Sequence, residues 1–204
     1  MKRSGPSIEL KALARSVKEI EARFLQPHLG PPTLAAPTRK EMLDVAAYVV
    51  LVHGLLEDFA ETIALWVLAK SVDNWVYRRK ATRCTASLLL YQKAPDVDAS
   101  LTVFDNIRTS LDEAKTRMSK VVSDNNGVAM KHLLKLFIPL GVNVPTDPLL
   151  VASLDLLVAM RHQWAHRNRR SAQVIKSAKD TQTTVSDCLA LARKLSAEAA
   201  LARP

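Results

Sequence analysis

The sequence predicts an all-α protein, a bundle of five to seven helices. Three observations carry this. Apolar residues recur at three- and four-residue steps along almost every segment, and no stretch alternates as a half-buried strand would. Glycine is scarce, five in 204 residues, while Ala and Leu, the residues that cost least in a helix, are abundant. With 48% hydrophobic and 24% charged residues, the chain suits one soluble domain with an added arm and can bury a real core.

The elements follow in order. From Ser7 to about Gln26, Ile8, Leu13, Val17, Ile20 and Phe24 form one apolar stripe, and Pro27 ends the helix. The segment PHLGPPTLAAPT then reads as a linker or a strap. Residues 1–37 are therefore expected as an N-terminal helix and Pro-rich strap, and 38–204 as the helical domain. Thr38, with Glu41 three residues on, signals a capping box. The helix it opens is expected to reach Lys70 or further, with a candidate turn at Ser71–Asp73. Its middle is apolar nearly all round, which marks the buried centre of a bundle.

Further helices are expected over 80–92, 99–122 and 127–140, separated by Pro95 and the polar SDNNG. Gly141 can end the third of these in the left-handed conformation. Asp147 caps the next helix, with Pro148 in its first turn. That helix ends in AMRHQWAHRNRR (159–170). A last helix, from about Ser171 to Ala199, carries Val174, Ala178, Val185, Leu189 and Leu195.

Charge narrows the partners. The net charge is +9, and such an excess attracts polyanions. Six Lys or Arg residues and no acid lie between Arg161 and Lys179. The basic N-terminus has no apolar run behind it, so no secretory signal is expected. The most apolar stretch, Val45–Val52, meets His53, Glu57 and Asp58 far short of the ~18 residues a membrane span needs; no membrane partner is expected. Cys84 and Cys188 lack metal-ligand spacing, which suits structural roles in a reducing cytoplasm. No phosphate-cradling glycine loop and no nucleophile elbow is present.

The stretch 159–170 carries the chemistry. Histidine exchanges protons near neutral pH, and arginine's permanent charge matches phosphate oxygens. Cations at a helix C-terminus are also favoured by the dipole alone, which is the structural alternative. On a straight helix Arg161 and His166 stand about 140° apart, so either the helix bends between them or a second chain completes the site. His162 and His166 share a face. His53, Glu57 and Glu61 also step by four, a spacing that could bind zinc or a metal pair, though helices produce such coincidences often; no metal is expected. Glu57 and Asp58 interrupt an apolar helix, and a buried carboxylate there needs a partner such as Arg161.

An apolar helix ending in Arg161–His162–x–x–Ala165–His166 resembles the signature of the HEPN superfamily, compact helical domains many of which are metal-independent ribonucleases. The resemblance extends over about Thr38–Ala199. MLDVAAYVVLVHGLLEDFAETIALWVLA looks like the first long core helix, with Glu57 as its embedded acid. The segment from Asn126 to His166 is similar to the RiboL-PSP-HEPN-like branch. His162 stands where Asn is common, and Asn168 where some members carry a modified Tyr.

The resemblance implies a cytoplasmic endoribonuclease that needs no cofactor and works as a homodimer with facing motifs. It also implies a toxin or anti-invader defence role, with an antitoxin or defence-system partner. The roles expected are His166 as acid/base, Arg161 as phosphate clamp, and His162 as orienting group or second proton carrier. Arg167, Arg169 and Arg170 would bind flanking phosphates of RNA, Trp164 would stack a base or pack at the dimer seam, and Glu57 would support Arg161. The alternatives are a non-catalytic HEPN-type module that binds RNA, nucleotides or a protein, and a helical scaffold whose basic end meets an acidic partner.

Overall fold

Thr38 opens the central helix as its spacing from Glu41 suggests: its Oγ1 accepts the Glu41 N–H at 3.2 Å. The helix, α2 (Arg39–Arg78), runs unbroken for 40 residues, about 60 Å at 1.5 Å per residue. The computed structural model describes residues 5–30, 36–91, 99–166 and 176–202. Around α2 stand α1 (Pro6–Phe24), α3 (Arg83–Leu90), α4 (Val103–Ser123), α5 (Met130–Phe137), α6 (Pro148–His166) and α7 (Ala178–Leu201), with 3₁₀ turns at Gln26–His28 and Ile138–Leu140. Among the described residues there is no strand.

Side-chain pairs fix the directions. His28 meets Asp44 at 2.8 Å and Gly5 lies against the Trp66 ring, so α1 runs antiparallel to α2. Trp75 stacks on Phe104 and Asn125 bonds Glu61, so α4 is antiparallel to α2 as well. Lys194 meets Asp147 and Ser153 meets Asp187, which sets α6 antiparallel to α7. Gln182 donates to Glu21 at 2.6 Å and ties α7 to α1. Val49, Val52, Ile63, Leu68, Leu111, Leu136, Leu157 and Leu195 form one core, all 2% exposed or less. Leu13, Val17 and Leu25 are in it too, so the first helix, set apart in sequence by the Pro-rich strap, is packed into the bundle.

Several boundaries differ from expectation. The candidate turn at Ser71–Asp73 is helix, because Ser71 and Val72 face the core. α2 stops instead at Arg79, which takes the left-handed conformation (φ 55°); its N–H returns to the Trp75 carbonyl and the Lys80 N–H to the Asn74 carbonyl. The third expected helix begins at Met130 rather than Gly127 and tightens into a 3₁₀ turn after Phe137. The last helix begins at Ala178, capped by Ser177, whose Oγ accepts the Asp180 N–H. The start expected at Ser171, with Val174, lies outside the described residues.

Gly141 has the left-handed φ of 66° predicted for it. A Cβ there would sit 3.0 Å from the Arg83 carbonyl oxygen, so the chain can pass α3 this closely only with glycine. Asp147 caps α6: its Oδ1 accepts the Leu149 N–H at 3.2 Å.

Candidate functional site at the end of α6

The site begins with the burial pattern of α6. Leu154, Leu157 and Met160 face the core at three-residue steps. The next position, Arg161, is half-buried, His162 is exposed and Trp164 is half-buried. The backbone stays helical through His166, so the helix does not end between Arg161 and His166. The side chain of His166, and the expected RNA contacts Arg167, Arg169 and Arg170, lie outside the described residues.

Because α2 runs antiparallel to α6, the end of α6 arrives beside the middle of α2. There His53 is 4% exposed, and its Nδ1 stands 3.8 Å from Glu57 Oε2. One turn further, Glu61 Oε1 accepts a 2.8 Å hydrogen bond from Asn125 Nδ2. Asn125 follows the end of α4 and also donates to the Gly127 carbonyl at 3.1 Å. Gly127 in turn lies against the His132 ring of α5. Four elements thus bring together His53, Glu57, Glu61, Asn125, His132 and Arg161.

Electrostatics tie these groups. His53 is held below its ordinary 6.5, chiefly by burial, then by the Arg161 charge and by His132. Glu57 is pushed above the ordinary carboxylate value by burial and by Glu61, while Arg161 pulls it back. Burial also lowers His132, with Lys131 and Lys135 adding to it. The result is a permanent guanidinium beside imidazoles biased toward the neutral, proton-accepting form. The Glu57 and Arg161 side chains make no ion pair within 4.0 Å; the Arg161 charge acts on Glu57 only as the smallest of its influences.

His132 and Asn125 were not singled out by the sequence. Both lie in segments without a motif, and only the packing of α4 and α5 against α2 brings them in. His53 and Glu61 had drawn notice for their metal-like spacing with Glu57. Among the described residues, no group of three or more His, Cys, Asp or Glu side chains is arranged to hold a metal ion.

The comparison with protein families decides the kinship. The model of the RiboL-PSP-HEPN family matches residues 13–199, nearly the whole bundle. The chain belongs to the RiboL-PSP-HEPN family. No curated protein and no solved structure matches it. The matched span includes most of α1. Among the described residues of this HEPN protein, no helix is long and apolar enough to cross a membrane.

Proposed function

We propose that this HEPN protein is a metal-independent endoribonuclease whose site is completed by a second copy of the chain. One observation carries the proposal: the charge of Arg161, a half-buried fixed cation at the end of α6, reaches His53 and Glu57 in the middle of α2 and lowers both, beside the larger effect of burial. A half-buried guanidinium close to a partly buried polar cluster is a preorganised charge, the kind that stabilises a transition state without reorganising solvent.

In the reaction, a neutral imidazole takes the proton of an RNA 2′-OH. The 2′-oxygen attacks the adjacent phosphorus, the P–O5′ bond breaks, and a protonated group delivers its proton to the leaving O5′. The products are a 2′,3′-cyclic phosphate and a 5′-hydroxyl. His166 is the main acid/base group, with His162 as orienting group or second proton carrier, and Arg161 neutralises charge on the phosphorane. Glu57 positions Arg161. Trp164 stacks a base or packs at the seam, and Arg167, Arg169 and Arg170 take flanking phosphates.

The unbroken helix supports the homodimer. Five residues on a straight α-helix turn about 140° away from the start and rise about 7.5 Å. Arg161 of one protomer is therefore complemented more readily by His166 of the other than by its own. A cytoplasmic toxin or anti-invader role, with an antitoxin or defence-system partner, rests on family membership.

The test is direct. Purified protein incubated with end-labelled RNA and a chelator is expected to yield fragments ending in 2′,3′-cyclic phosphate. Salt-sensitive RNA retention without fragments would overturn the enzyme and leave an RNA-binding HEPN module.

A further inference from the structure

The far end of α2 carries a surface that the cleavage chemistry does not use. Residues 75–83 read WVYRRKATR, and no acid occurs between Tyr77 and Asp96. Trp75 stacks on Phe104 at 5.7 Å between centroids, and the Arg79 guanidinium lies 3.0 Å from the centre of the same Phe104 ring. This clamp absorbs Trp75 and Arg79 and holds the left-handed turn that ends the helix. It leaves Tyr77 81% exposed, with Arg78 and Lys80 exposed beside it in the chain. Among the described residues, neither Arg78 nor Lys80 has a carboxylate within ion-pair distance.

A bare phenol ring flanked by uncompensated cations is the chemistry that takes up single-stranded nucleic acid: a base stacks on the ring and the cations meet the phosphates. An acidic protein would match the cations but would leave the ring without a counterpart. We propose that Tyr77, Arg78 and Lys80 form a second contact for single-stranded RNA, remote from the Arg161 site. The inference rests on RNA being the substrate. Arg78 stands twenty-one residues beyond Glu57 on the same helix, about 31 Å along its axis. A stacked strand at about 3.4 Å per nucleotide covers that span with roughly nine nucleotides. The two contacts together select RNA with an unpaired run of at least that length.

The test uses the full chain made cleavage-silent by His166→Ala, and unpaired RNA oligonucleotides of about four and about fourteen nucleotides. Binding is followed by fluorescence anisotropy over a salt series. Tyr77→Ala is expected to weaken the long oligonucleotide about tenfold and the short one not at all, while Tyr77→Phe keeps the stack. Arg78→Gln with Lys80→Gln is expected to lower the salt slope for the long oligonucleotide by about 1.4, or 0.7 for each lost phosphate contact. All these side chains are exposed, so thermal melts should match the parent. Unchanged long-RNA affinity in these variants overturns the proposal and assigns the surface to a protein. Equal weakening of both lengths overturns it too, since the patch would then belong to the Arg161 site. Failure of the RNA reading itself shows differently: the parent then binds neither length.

Discussion

The two ends of α6 are built on opposite plans. At its start every charge described has been matched. Asp147 caps the helix with one oxygen and takes Lys194 Nζ at 2.9 Å with the other, and one turn on Ser153 donates to Asp187 at 2.7 Å. At its finish, the Arg161 charge has no carboxylate within ion-pair distance among the described residues, and it acts on a histidine held low and a glutamate held high, both chiefly by burial. The first arrangement lowers the energy of the fold. The second stores an imbalance that binding an anion would relieve. The difference teaches where to look for chemistry in a bundle this regular: where polar groups are gathered but not neutralised.

The largest test of that contrast lies at the unneutralised end. Arg161→Ala and His166→Ala are each expected to lower the rate of RNA cleavage by about a thousandfold, within the range of lost acid–base or charge stabilisation. Melting temperatures should stay near the parent's. Cleavage at the parental rate by both variants would remove the distinction between the two ends.

Next comes Gly141, in the loop that delivers the chain to the neutral end. Gly141→Ala meets both a positive φ and a 3.0 Å approach to Arg83 backbone. A loss of about 2 kcal/mol in urea unfolding is expected. The specific activity of the folded fraction should not change.

A smaller effect separates positioning from packing. Glu57→Gln keeps the shape and removes the charge facing Arg161. Cleavage should fall about tenfold, as misplacing a catalytic group does, and the acid limb of the pH–rate profile should move. A desolvated carboxylate is lost, so the melting temperature should hold or rise. An unaltered profile with unaltered rate would make Glu57 a structural acid only.

The smallest effect is expected from Asp147→Asn. The Lys194 hydrogen bond is the main reason that the Asp147 carboxyl lies below its ordinary value of 3.8. A depressed carboxylate contributes its stability fully above that ordinary value and loses it as pH falls through the folded value. The variant should lose a little melting temperature at neutral pH, and the difference should vanish as pH falls through the depressed value of the folded carboxyl. RNA cleavage should be indifferent to it.

Much of the fold was legible because its signals are local. Thr38 with Glu41, Gly141, and Asp147 with Pro148 each mark a boundary within four residues of chain. The end of α2 was not legible: Arg79 carries no stop signal of its own and turns left-handed with its charge against Phe104, twenty-five positions away. The site divides the same way. Arg161, His162, His166 and Glu57 were visible from one motif and one interruption of an apolar helix. His132 and Asn125 were not, because they reach His53 and Glu61 only when α4 and α5 close on α2.

The unbroken length of α2 makes it a ruler. His53, Glu57 and Glu61 are graduations about its middle and Tyr77 a graduation at its far end, with no break in the helix between them. Adding one residue midway would advance the far marks by about 1.5 Å and swing them about 100° round the axis, so the two surfaces would stay whole while losing their common alignment.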